Sequence, residues 1–132
     1  MTKRELLGKA LEKLGYTSEV DDDGDLYFRY QMKTFFILVG DEDEKYTIVQ
    51  FPQFAEVEEG EETLALMLCN KITRDIKLAK VYLDHTLKSI SAGCEFYYTD
   101  EESLDVNLRH ALNVLSATRG LYRSAKAEMQ SE

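Results

Sequence analysis

Three short runs rich in aromatic and β-branched residues follow one another between Leu26 and Phe51, separated only by short turns, and that density leaves little room for anything but a three-stranded antiparallel meander. In the first run Leu26, Phe28 and Tyr30 alternate with Tyr27 and Arg29, the period-two signature of a half-buried strand. The second run is apolar on both faces. Phe35, Ile37 and Val39 point one way and Phe36 and Leu38 the other, which predicts a middle strand covered on more than one side. The third run, Tyr46 to Phe51, is expected to stop at Pro52, because proline cannot donate to a sheet ladder.

Helical patterns flank this sheet. Thr2 and Glu5 make a capping box, Leu6, Leu7, Ala10, Leu11 and Leu14 fall in one arc, and Gly15 supplies the left-handed residue that ends the helix. A second helix is predicted from about Glu61 to Lys77, with Leu64, Ala65, Leu68, Cys69, Ile72 and Ile76 turned toward the sheet. Leu66 and Met67 fall outside that arc, beside Asn70, Lys71, Arg74 and Lys77. The resulting surface is partly apolar and partly basic, and it reads either as ordinary exposed residues or as a contact surface for a second copy or a partner.

Ala79 to Leu83 and Ser89 to Tyr98 then form a hairpin. Ile90, Ala92, Cys94, Phe96 and Tyr98 share its core face, and Ser89, Ser91, Gly93, Glu95 and Tyr97 share a face open to water or a ligand. A last helix is expected from about Asp100 to Glu128 behind a Thr99/Glu102 capping box, with a bend or fraying at Gly120 and a loose tail from Lys126. It carries two apolar stripes. Leu104, Leu108, Ala111, Leu112, Leu115 and Tyr122 make one, and Val106, Val114, Ala117 and Leu121 make the other, which faces either the first helix or a partner. The candidate partner-binding residues are therefore Leu66, Met67, Asn70, Arg74, Val114 and Leu121.

The order helix, three strands, helix, two strands, helix defines an α+β fold, an antiparallel sheet of meander plus hairpin in the pattern α-βββ-α-ββ-α. With 132 residues and no linker or low-complexity run, it is expected to be one domain spanning residues 1–132. The formal charge of −9 repels phosphate backbones and anionic lipid, so neither nucleic acid nor membrane is an expected partner. The amino terminus lacks a secretory apolar run and no stretch approaches a membrane span, so the expected location is cytoplasmic, with Cys69 and Cys94 as buried free thiols.

Chemistry is hard to find in this chain. The acidic run Glu19 to Asp25 invites a calcium reading, but with Gly24 at the sixth position of an EF-hand loop the twelfth would be Tyr30 instead of glutamate, so a solvated turn is expected. The same reading applies to Gly40 to Glu44. Neither His85, in a hairpin turn, nor His110, on the last helix, has a sequence context that suggests activation, and the two cysteines and two histidines are too dispersed for zinc. No phosphate-binding glycine loop exists. No catalytic residue, metal or cofactor is expected, and the chain reads as a non-enzymatic module.

The element order, together with Leu14-Gly15-Tyr16, Asp23-Gly24-Asp25-Leu26 with Phe28, Phe35 to Val39, Asn70 and Lys80-Val81-Tyr82, resembles the YbjN-like family of bacterial sensory transduction regulators, which has the type III secretion chaperone-like fold. The resemblance covers nearly the whole chain and carries no catalytic signature. It implies a binding role: a regulatory module that contacts protein, usually as a homodimer. The alternatives are a secretion-type chaperone holding an unfolded client segment, and a small-molecule binder using the open sheet face with Ser89, Ser91, Glu95 and Tyr97.

Overall fold

The computed structural model describes residues 1–131. In chain order the elements are α1 (Lys3–Lys13), β1 (Glu19–Val20), β2 (Leu26–Tyr30), β3 (Lys33–Leu38), β4 (Tyr46–Glu56), α2 (Glu62–Asp75), β5 (Ala79–Leu83), β6 (Ser89–Tyr97) and α3 (Glu101–Gln130). The strands form one antiparallel sheet in the order β1-β2-β3-β4-β6-β5, so the meander and the hairpin are joined through β4 and β6. The α+β class and the meander-plus-hairpin plan hold, with one added strand. β1 pairs through Glu19 and Val20 with Tyr27 and Leu26, inside the run expected to be only a turn.

Local chemistry explains the element ends. Thr2 accepts a hydrogen bond from the Glu5 backbone N–H (3.1 Å), which is half of the expected box. Gly15, at φ +94°, sits in a Schellman turn: its N–H donates to Glu12 and that of Tyr16 donates to Leu11. The last helix is capped by Asp100 and Ser103, whose side chains each accept from the other's backbone N–H, and not by Thr99 and Glu102. That helix runs through Gly120 and Lys126 to Gln130, in place of the expected bend and loose tail. The Lys126 ammonium reaches Glu61 at 3.4 Å, and the Gln130 amide donates to the same carboxylate.

Pro52 does not end its strand. Between Phe51 and Ala55 the register with β6 shifts, so that four residues of β4 advance against two of β6, and the proline lies in that bulge where no ladder donor is required. Gln53, at φ +51°, turns its N–H onto the Ser91 hydroxyl at 2.9 Å. That contact corrects the reading of Ser91 as part of an open face, because its side chain is buried under the bulge.

The core lies on one side of the sheet. Leu26, Phe28, Phe35, Ile37, Val49, Phe51, Ala92 and Cys94 point into it and meet the buried faces of all three helices in a single cluster. Aromatic rings run through it in steps: Phe28 to Phe35 (5.9 Å between centroids), Phe35 to Phe51 (4.7 Å), Phe51 to Phe54 (5.1 Å), then Phe54 edge-on to Tyr122 of α3 (6.1 Å). Burial beside Cys69 and Glu61 pushes the Tyr122 phenol up to about 12. An unfolded tyrosine ionises near 10, so the unfolded chain releases this proton first as pH rises. Stability is therefore expected to fall between about pH 10 and pH 12, and Tyr122→Phe is expected to make that part of a urea-midpoint profile shallower.

Both acidic turns are tied to the frame. Asp21 accepts from the backbone N–H groups of Asp23 and Asp25, and Asp25 accepts from that of Val39, all at 2.9 Å. The second turn receives Lys3, whose ammonium donates to the carbonyls of Asp41 (3.0 Å) and Tyr46 (2.7 Å) while its backbone N–H donates to Glu42. That buried lysine has its pKa lowered by desolvation, against the pull of Glu44, Asp41 and Glu42. A turn expected to be merely solvated thus fastens the first turn of α1 to the sheet.

Candidate interaction surfaces

Among the described residues, no helix lies on the second face of the sheet. Strand register places Tyr27, Phe36, Gln50, Gly93 and Lys80 in one row across it, with Glu19 at the β1 end. Leu38, Ile48 and Glu95 form the next row, and Tyr46 and Tyr97 a third. Phe36 and Leu38 are half-buried by their neighbours and not by a second layer, which corrects the expectation that the middle strand is covered on more than one side. An apolar second face on β3 without a covering element is what the sequence signal amounted to.

One hydrogen-bonded chain crosses this face. The Lys80 ammonium and the Tyr46 hydroxyl both donate to the Glu95 carboxylate, one to each oxygen. Those two donors hold Glu95 below the usual carboxylate range, and Glu95 in turn pushes the Tyr46 phenol up to about 12. A tyrosine so fixed neither donates nor accepts protons near neutrality. The Tyr46 ring also packs against Tyr97 with centroids 4.9 Å apart, while Tyr97 remains 77% exposed. Beside this chain, around Gly93, lies a depression of 270 Å³ walled by Ile48, Gln50, Lys80, Tyr82 and Glu95.

The sequence-derived candidates lie on the opposite, helical side. Leu66 and Met67 are 56% and 54% exposed on the outer side of α2, and Asn70 and Arg74 continue the same strip. Arg74 is occupied by its neighbour Asp75 at 3.0 Å. Leu121 is 41% exposed and lines a 200 Å³ cleft between α2 and α3 with Lys71, Ile76, Ser124 and Glu128, so it meets α2 at its C-terminal half and not at Leu66. Val114 stands apart, half-buried against the edge of the core. The second stripe of α3 therefore does not pack on α1. That helix lies instead along the flank bearing Glu101 and Asp105, joined by Lys9 (3.6 Å) and Lys13 (3.0 Å).

Cys69 and Cys94 are free and buried, and burial raises both thiols, Cys69 to about 11, so neither is a thiolate at neutral pH. A 540 Å³ depression between the end of β4 and the β5–β6 turn is walled by Glu56, Glu58, Glu59 and Glu62, with Lys88 as its lone cation, and repels phosphate. Among the described residues no helix is long and apolar enough to cross a membrane.

These features define a small α+β protein whose open antiparallel sheet is backed on one face by three helices. The chain belongs to the YbjN family, which is described as "Putative bacterial sensory transduction regulator" and matches residues 3–119. Among the solved structures that share the fold are these two. One, "YbjN, a putative transcription regulator from E. coli", superposes with a TM-score of 0.70 at 14% identity, over 95% of this chain and 92% of that one. The other, an uncharacterised protein from Methanothermobacter thermautotrophicus, gives 0.61 at 11% identity over 93% and 98%. No curated protein matches the sequence.

Proposed function

We propose that this chain is a non-catalytic, cytoplasmic regulatory module that binds a protein partner on the outer surface of α2 and the adjoining α2–α3 cleft. The observation that carries the reading is the pair Leu66 and Met67. Both are more than half exposed on a helix whose other face is fully used in the core, at the head of a strip that Asn70 continues. Such a surface suits a partner segment that carries an apolar anchor, since buried apolar contact supplies the affinity. The family's description as regulators supports the same class of role.

Leu66→Glu combined with Met67→Glu is expected to leave the melting temperature nearly unchanged, because exposed substitutions away from structural features stay within about 0.5 kcal/mol. A photo-crosslinker at Asn70 in intact cells is expected to give a discrete adduct in the wild type. The double variant should reduce that adduct by about tenfold or more, since a central apolar anchor is worth about 2 kcal/mol. An adduct of undiminished yield would place the partner elsewhere.

A further inference from the structure

We infer that the hollow between the β4 bulge and α3 is a phosphate-binding site, with Arg119 and Arg123 as the side chains that hold the anion and room beside them for a small phosphate ester. This goes beyond the α2 surface and uses none of its residues. The starting observation is where the charge falls. The chain has 25 acidic residues and a net charge of −9, but α3 carries no Asp or Glu from Val106 to Ala127, a stretch of about six turns. Arg109, Arg119, Arg123 and Lys126 all stand within it. At 100° per residue the last three share one arc of about 60°, and Leu121 points the opposite way.

Two of these three cations have no partner. Lys126 is held by Glu61 at 3.4 Å, whereas among the described residues neither Arg119 nor Arg123 takes part in an ion pair. Arg119 is half-buried, and its Nε is enclosed without an acceptor. Carboxylates are plentiful enough to have paired both, as they pair Lys9, Lys13 and Lys80. A partly desolvated guanidinium without a counter-charge costs free energy, and an anion seated there recovers it.

β4 forms the other wall. Its bulge turns Gln53 to φ +51° and commits the backbone N–H to Ser91, which leaves the carboxamide facing outward. Gln53, Ala55 and Glu56 then stand across from Tyr122, Arg123 and Lys126, around a hollow of 410 Å³. Arg119 lies on the same line of the helix, about 6 Å before Arg123. The volume is that of a small-ligand site and exceeds what one bare anion fills.

Charge sets the orientation of the ligand. Glu56 also lines the 540 Å³ acidic depression, so the rim on that side is negative while the helix side is positive. A phosphate is drawn to the guanidiniums, whose planar forks match its oxygens, and hydroxyls on the rest of an ester suit Glu56 and Gln53. A nucleic-acid backbone gains less, because the same rim repels its next phosphate.

The test is isothermal titration calorimetry at about pH 8, where a phosphate monoester is a dianion, in chloride buffer of fixed ionic strength. Inorganic phosphate and glycerol phosphate are the probes, with acetate and glycerol as controls. Saturable one-to-one binding of the probes is expected, and none of the controls. Arg119→Gln and Arg123→Gln are each expected to weaken it by about tenfold or more, as loss of a hydrogen bond to a charged group does. Arg123→Lys keeps the charge without the fork and should fall between. Lys9→Gln, on α1, removes the same charge elsewhere and should leave the affinity unchanged. Tighter binding of glycerol phosphate makes an ester the source of the phosphate, and equal binding makes it the free anion. No saturable binding of either probe in the millimolar range overturns the inference. So does binding that acetate matches, binding that Lys9→Gln lowers as much as Arg123→Gln, or a single-stranded oligothymidylate that binds more tightly than both probes.

Discussion

Truncating Phe35 to alanine is expected to lower the unfolding free energy by about 3–5 kcal/mol, read from urea denaturation of the purified protein. Phe35 is fully buried on β3, and its ring contacts Phe28, Tyr30 and Phe51, so removal leaves a cavity among side chains that themselves hold β2, β3 and β4 in register. Rigid neighbours collapse poorly into such a space, and the cavity adds to the lost transfer energy. Natural domains are stable by only about 5–15 kcal/mol, so one substitution here removes a large share of that margin. Phe35→Leu, which keeps most of the volume, should cost clearly less. If the alanine variant lost under about 1 kcal/mol, well below the range for a buried aromatic, the aromatic run would not be the centre of the core.

Thr73→Val is the second large effect, and it acts through one hydroxyl. Thr73 sits on α2 over the outer edge of β5, where its oxygen accepts from the Val81 N–H (2.8 Å) and donates to the Val81 carbonyl (3.1 Å). The side chain thereby does for β5 what another strand would do. Valine keeps the shape and removes both bonds, and each unpaired, partly buried backbone group costs about 1–3 kcal/mol. Thr73→Ser keeps the hydroxyl and should recover most of the loss. The valine variant is also expected to aggregate on partial unfolding, because it frees the middle of an edge strand for pairing with another chain. Stability equal to wild type would mean that water replaces the hydroxyl at no cost.

Periodic features were legible from sequence, and features set by tertiary context were not. The alternation in β2 and β6, the α2 arc and the buried stripe of α3 could be read because each face is written along one element. Thr99/Glu102 and Asp100/Ser103 have the same spacing, and only the folded chain shows which pair closes the turn. Pro52 is a genuine stop signal that a bulge overrides, and the bulge is visible only through its partner Ser91. The exposure of Leu66 and Met67 followed from the wheel, whereas grouping Val114 with Leu121 required knowing where α1 lies. The Lys80–Glu95–Tyr46 chain joins three strands and has no sequence signature at all.

The order of strands in the sheet is not their order in the chain, and synthesis feels the difference. β4 occupies the middle of the sheet, but its partner β6 emerges only after α2 and β5 have been made. The ring-lined inner face of the meander, with Phe28, Phe35 and Phe51, therefore leaves the ribosome before either the neighbouring strand or α3 exists to shelter it. Closing that long-range pair must wait until β6 has been made, so while α2 and β5 are synthesised the nascent chain carries an unfinished, sticky half-sheet.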